Sequence, residues 1–294
     1  MTSTRATLIG LTAVVLWSTI VALIRGVAEA MGPTAGAAMI YTVGTVLLGL
    51  TVGVPRPRGF PRAYLYLGGA LFVAYELCLA LSLGYAANSR QAIEVSLVNY
   101  LWPSLTILFA VVFNRHRATA LIVPGVVLAF AGVWWAQGGA QGPGLAGTVA
   151  NIRSNPLSYG LAFAGAVIWA AYCTVTARMA KGRSAVTLFF GLTALAFWIK
   201  VLGSGDAVMH VDLGVAVQVV LAGAAMGFGY AAWNVGILHG NIAVLAVASY
   251  FIPIFSSALA AVLLSAPLAA GYWNGAAMVC AGSLLCWWAT RARR

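Results

Sequence analysis

Residues 99–104 read Asn-Tyr-Leu-Trp-Pro-Ser, and 150 positions later residues 249–254 read Ser-Tyr-Phe-Ile-Pro-Ile. The offset aligns Tyr100 with Tyr250 and Pro103 with Pro253, and it also brings Gly125 onto Gly275, Ala131 onto Ala281 and Gly132 onto Gly282. At a nearby offset of 152, Trp17 in Val-Leu-Trp meets Trp169 in Val-Ile-Trp. Both copies lie inside long uncharged stretches, so the unit that recurs is half of a helical chain and not a short surface motif. The halves are expected to be 1–150 and 151–294.

Working outward, 62% of the 294 residues are hydrophobic and 7% charged, whereas a soluble domain carries about a quarter charged residues. A soluble fold is excluded. With about 20 apolar residues needed per crossing, uncharged runs predict ten spans: 6–25, 33–53, 62–86, 91–113, 118–137, 156–178, 185–203, 213–237, 241–264 and 270–289. The first run, 8–24, follows a single Arg5 and lacks a small-residue cleavage site, so it is expected to stay as the first helix. The expected fold is an all-α integral membrane protein of ten transmembrane helices. Five per half is an odd number, which puts the two halves in the bilayer in opposite orientations.

The charge balance supports that count. Arg5, Arg56, Arg58, Arg62, Arg115, Arg117, Arg178, Lys181, Arg183, Arg291, Arg293 and Arg294 fall on the side of the termini, 12 in all, against four (Arg25, Arg90, Arg153 and Lys200) on the other. Positive residues concentrate on the cytoplasmic side, so both termini are expected in the cytoplasm. The net charge of +11 therefore reads as topology, and no nucleic acid partner is expected. The longest polar interruption, 138–155, falls between the halves on the outer side. Cys78, Cys173, Cys280 and Cys286 sit within apolar runs and read as small buried thiols.

Inverted repeats of this kind mark secondary transporters, in which two bundles meet at a midplane site and rock against each other. Leu16-Trp17-Ser18, Tyr100 to Pro103 and Tyr250 to Pro253, with the ten spans, resemble the EamA-type branch of the drug/metabolite transporter superfamily. Within that branch the chain is most similar to the bacterial aromatic amino acid exporters. The resemblance implies the inner membrane, alternating access, and a central cavity lined by spans 1, 3, 4, 6, 8 and 9. The partners expected are the lipid bilayer and a small-molecule substrate, an amino acid that is aromatic or otherwise apolar; no cofactor is expected. A broad metabolite or cationic-drug exporter is the alternative.

Glu76 lies mid-span, where an ionisable group is costly and is a functional hypothesis by default. It can receive a substrate ammonium group, carry a proton for coupling, or be a protonated carboxyl bonded to a neighbouring helix; the sequence leaves these open. No basic residue lies at midplane depth, which argues against phosphate-bearing substrates. Arg25, Arg90 and Lys200 are expected to snorkel to the outer headgroups. Trp17, Tyr75, Tyr100, Trp102, Trp169, Tyr172, Tyr230, Trp233 and Tyr250 lie near mid-span, where a hydroxyl or indole N–H is better spent facing a cavity than lipid. Asn99, Ser249 and Asn234 add neutral polar atoms. Tyr64, Tyr66, Trp134, Trp135, Tyr272, Trp273, Trp287 and Trp288 are expected in the interfacial belts. Pro103 and Pro253 remove a helical hydrogen bond at matching positions and free a carbonyl one turn earlier; the kinked segments can offer backbone ligands or act as hinges, and hinges are expected. Gly44, Gly49, Gly125, Gly132, Gly223, Gly227, Gly229 and Gly282 are expected to permit close helix contact.

Other classes fit poorly. Gly203-Ser204-Gly205-Asp206 matches the Gly-x-Gly-Asp of intramembrane aspartyl proteases, but the second aspartate, Asp212, falls in the same expected loop rather than in a facing span. His116, His210 and His239 are expected in loops, and with the scattered cysteines they form no metal cluster. A channel would need rings of carbonyls or charges. The chain is read as a transporter and not an enzyme.

Overall fold

The computed structural model describes residues 2–114, 118–137, 145–204 and 211–291, and the regular elements in them are all helical. In chain order these are α1 (Ser3–Met31), α2 (Pro33–Thr51), α3 (Arg62–Gly84), α4 (Ser89–Asn99), α5 (Trp102–Asn114), α6 (Ile122–Gln137) and α7 (Leu145–Ser154). They continue with α8 (Pro156–Met179), α9 (Val186–Ser204), α10 (Leu213–His239), α11 (Ile242–Ser249), α12 (Ile252–Leu263) and α13 (Ala270–Arg291). The expectations for Arg115, His116, Arg117, residues 138–144, Gly205, Asp206, His210, Arg293 and Arg294 fall outside the described residues.

The fourth and ninth spans, expected as single kinked helices, are each two helices. Tyr100 and Leu101 separate α4 from α5, and Tyr250 and Phe251 separate α11 from α12. Pro103 and Pro253 are the second residues of the new helices. There a missing N–H costs nothing in the first turn, whereas mid-helix it would leave the carbonyl four residues back without a donor. Eight segments are long and apolar enough to cross a bilayer: α1, α2, α3, α4 with α5, α8, α9, α10, and α11 with α12. Outside this group, α6 has 16 residues and α13 has 22.

The first span is longer than expected, because nothing interrupts the helix until Gly32. That residue has φ 82, a conformation open mainly to glycine, and Pro33 starts α2 directly after it. Arg25 thereby lies within a helix and not at its end. Part of the expected outer loop is helical as well, and residue 150, the expected boundary between halves, lies within α7. His239 closes α10 instead of lying in a loop.

Helices pair lengthwise: α1 with α10, α3 with α8, α2 with α9 and α6 with α13. Backbone proximity explains several glycines. A Cβ on Gly132 would stand 2.6 Å from the Gly275 carbonyl, and one on Gly282 would stand 2.6 Å from the Gly125 carbonyl, so α6 and α13 touch through their backbones. Gly44 and Gly223 do the same between α2 and α10. Gly49 does not, since only Val54 Cγ2 approaches it, at 3.8 Å.

The outer face is apolar, with Leu50, Leu202, Leu213 and Val262 each at least 75% exposed, the surface a bilayer would cover. Tyr66, Trp134 and Trp288 are exposed as a belt requires. Tyr64 and Tyr272 are buried instead, and the Tyr272 hydroxyl is 2.6 Å from Ser257 Oγ. All four cysteines are unpaired; Cys280 and Cys286 are buried, Cys78 and Cys173 half-buried.

Candidate substrate site

Where α1, α3, α4, α8 and α10 meet the two helix breaks lies a cavity of about 40 Å³. Trp17, Tyr75, Asn99, Tyr100, Trp102, Trp169 and Tyr230 all line it, with Ser96 and aliphatic residues completing the wall and no charged side chain among them. At roughly 10–15 Å³ per water, it has room for a few waters and not for an amino acid.

A second space of about 370 Å³ adjoins it, lined by Tyr64, Tyr172, Cys173, Trp233 and Asn234 and bounded by the α8–α9 turn with Arg183 and Ser184. Ligand sites begin at about 300 Å³, so this vestibule is of substrate size. It lies at the end of the bundle where α1 begins, since Asn241, just past α10, donates its amide to Thr7 Oγ1. Trp169 and Tyr230 line both spaces and form the partition between them.

The partition is built from stacked rings. Trp169 packs on Tyr75 with centroids 4.5 Å apart and on Tyr172 at 5.0 Å, and it meets Tyr230 edge-on at 5.8 Å. Tyr230 in turn meets Trp17 edge-on at 5.2 Å, and Trp17 lies 5.4 Å from Trp233. Edge-to-face and offset contacts of this kind are the favoured aromatic geometries.

Glu76 is placed differently from the expected ligand. Its side chain is fully buried and lines neither space; Tyr41 donates to Oε2 at 2.6 Å and Tyr230 donates to Oε1 at 2.7 Å. Tyr41 comes from α2, Glu76 from α3 and Tyr230 from α10, so the carboxyl ties three helices together and anchors one ring of the partition. Removing the acceptor strands two buried hydroxyls at about 1–3 kcal/mol each. We expect Glu76→Leu to lower the melting midpoint in detergent by on the order of 5 °C, and Glu76→Gln, which keeps an acceptor oxygen, to lower it less. A leucine variant as stable as the parent would show that the contacts carry no stability.

Ser249 and Tyr250 are buried but line neither space, and the Ser249 hydroxyl donates to the Ala246 carbonyl at 2.8 Å. Asn234 donates to Ser184 Oγ at 2.7 Å on the vestibule wall. Among the described residues no group of three His, Cys, Asp or Glu side chains could hold a metal.

At the opposite end the bundle is closed by polar groups that sequence reasoning missed. Arg25 does not snorkel. It is 7% exposed, pairs with Glu29 at 2.6 Å, and donates to the carbonyls of Ala86 (2.6 Å), Leu83 (3.3 Å) and Gly84 (3.4 Å) at the end of α3. Asn155 Nδ2, at the start of α8, donates to the Tyr85 carbonyl at 2.8 Å and to Gln91 Oε1 at 2.9 Å. Arg90 pairs with the buried Glu94 at 3.1 Å. The only signal for these in the sequence is several polar residues close to a predicted span end. Tyr41, at the same mid-span depth as Glu76, was equally available as a candidate.

Residues 4–136 match the model of the EamA-like transporter family. Over 293 residues, and all of both chains, the sequence is 57% identical to the aromatic amino acid exporter YddG of Salmonella typhimurium. It is 57% identical to the Escherichia coli protein of the same name, covering 99% of each chain, and 30% identical to that of Ancylobacter novellus, covering 88% of each. A crystal structure of a protein 28% identical to this one superposes with a TM-score of 0.69 over 100% of both chains. An apolar helical bundle around an uncharged aromatic cavity, matched along its whole length by such carriers, leaves one assignment: the chain belongs to the EamA-like transporter family, whose members move solutes across membranes and are not enzymes.

Proposed function

We propose that the protein exports aromatic amino acids, or other apolar ones, across the bacterial inner membrane by alternating access. The observation that carries this is the cavity walled by Trp17, Tyr75, Trp102, Trp169 and Tyr230 without a charged side chain, a surface suited to a flat apolar group on a neutral zwitterion. Tyr172 and Trp233 receive the substrate in the vestibule, Tyr100 and Asn99 in the cavity. Tyr250 and Ser249 reach it only after a rearrangement, which the breaks before Pro103 and Pro253 supply as hinges. The cationic-drug alternative needs a free carboxylate, and Glu76 is already engaged by two hydroxyls.

In this reading α6 and α13 complete ten spans in two inverted halves, with both termini cytoplasmic. The helix pairs support the inversion. Numbering spans in order, the first pairs with the eighth and the third with the sixth, while the second pairs with the seventh and the fifth with the tenth. Exchanging the two halves converts the first pair into the second and leaves the other two unchanged. The vestibule then opens to the cytoplasm and the Arg25 cluster closes the outer side.

The test is counterflow in proteoliposomes. Preloading with unlabelled phenylalanine, tyrosine or tryptophan should accelerate entry of labelled phenylalanine, while preloaded arginine or aspartate should not. Equal stimulation by all, or by none, would overturn the proposal.

A further inference from the structure

An exporter of amino acids has to take an ammonium group out of water, and the cavity wall offers no carboxylate for it. The nearest carboxylate, Glu76, spends both oxygens on Tyr41 and Tyr230 and stands behind the wall. Asn99 lines the cavity, is 4% exposed, and its Oδ1 accepts no hydrogen bond among the described residues. Ser96, by contrast, donates its hydroxyl to the Ile93 carbonyl at 2.7 Å. A buried amide oxygen without a donor is uncommon and calls for an explanation.

Asn99 is also the last residue of α4. The C-terminal end of a helix carries partial negative charge. One residue at the cavity wall therefore combines an unpartnered amide oxygen with the negative end of a helix, beside an otherwise apolar space. An ammonium group has three donors and no acceptor, and the rings of Trp17 and Trp102 in the same wall suit a cation.

The second half does not repeat the arrangement. At the offset of 150 the counterpart of Asn99 is Ser249, which lines neither space and donates its hydroxyl to the Ala246 carbonyl. The two helix breaks match in backbone and differ in the group they present, so a pseudo-symmetric bundle gains a polar end for a zwitterion.

We infer that Asn99 is the ammonium-binding residue of this carrier, with its Oδ1 as the acceptor. The inference rests on the amino acid reading above and names the group that would recognise the substrate's amine.

The experiment compares three probes on the full chain: L-phenylalanine, phenethylamine, which keeps the ammonium group alone, and 3-phenylpropionate, which keeps the carboxylate alone. Binding is read in detergent by quenching of tryptophan fluorescence, and phenylalanine transport by counterflow. Asn99→Ala should weaken phenylalanine and phenethylamine by about tenfold or more, the range of a charge-assisted hydrogen bond, and leave 3-phenylpropionate unchanged. Asn99→Asp should restore phenethylamine, and it also serves if the alanine variant fails to fold. Equal weakening of all three probes, or of none, would overturn the assignment. A parent protein that shows no phenylalanine counterflow, yet binds phenethylamine in an Asn99-dependent way, would overturn the exporter reading alone and uphold the ammonium site.

Discussion

Trp169→Ala is expected to raise the KM for phenylalanine about 30-fold, more than any other single truncation in the aromatic wall. The indole lines both the cavity and the vestibule, and it contacts Tyr75, Tyr172, Tyr230 and Trp102 at centroid distances between 4.5 and 6.2 Å. Truncating a tryptophan that anchors such a cluster costs roughly 2 kcal/mol of binding or more, and 1.4 kcal/mol is tenfold. The variant also joins the 40 Å³ and 370 Å³ spaces, removing the partition between the cavity and the vestibule. Trp169→Phe keeps a ring at the partition and should recover most of the affinity. Dose–response curves for counterflow decide the matter: if the alanine variant keeps the parent KM, Trp169 is packing between helices and the partition lies elsewhere. Trp17 offers a contrast. Its Nε1 would lie 2.5 Å from a Cβ built on Gly229, so the indole fills a notch cut for it in α10, and Trp17→Ala should cost stability along with affinity.

The sequence made the membrane helices legible because apolar length is a local property. Tyr-x-x-Pro at 100–103 and 250–253 showed where the helices yield, since a proline acts on its own backbone whatever surrounds it. It did not show that the chain breaks there outright, which depends on the first turn that follows. Depth along a helix was readable as well, and it brought Trp17, Tyr75, Asn99, Tyr100, Trp102, Trp169 and Tyr230 to one wall. Which way a mid-span residue faces was not readable. Tyr250 and Trp169 look equivalent by depth, and only the packing of α8 against α3 and α5 separates a wall residue from a buried one. Glu76 stood out as a charge, but its partners lie 35 and 154 residues away on other helices, so the pattern along the chain could not choose between ligand and anchor. Arg25 was misplaced for a similar reason. Hydropathy puts an arginine near a span end at the headgroups, whereas the carbonyls at the end of α3 offer it a nearer set of acceptors.

Those acceptors make Arg25→Leu the variant that should alter the conformational balance most. The guanidinium holds Glu29 and three carbonyls at and just past the end of α3, and Asn155, from α8, holds the turn that follows. Ser89 Oγ donates to Glu29 at 3.1 Å, which ties in the start of α4. In the exporter reading proposed above, opening the outer side requires α1 to part from this turn. In the state seen here Arg25 therefore favours closure, and its loss favours the outward-open state. Breaking a buried ion pair by removing one partner costs about 3–5 kcal/mol; Glu29 is 44% exposed and can rehydrate, so we expect the lower end of that range. A bias of about 3 kcal/mol changes the ratio of two states by roughly a hundredfold. Arg25→Lys should fall between, because an ammonium cannot reproduce the planar fork that reaches several acceptors at once. Accessibility reports this directly. A cysteine placed at Ser96 on the cavity wall, in a chain freed of its four native cysteines, should be labelled from outside by a membrane-impermeant thiol reagent in Arg25→Leu and protected in the Arg25 parent. Phenylalanine counterflow should fall at the same time, because a carrier held open on one side cannot complete its cycle. Equal protection of the cysteine in both proteins would mean that Arg25 is a structural clamp within the first half and that closure of the outer side depends on other contacts.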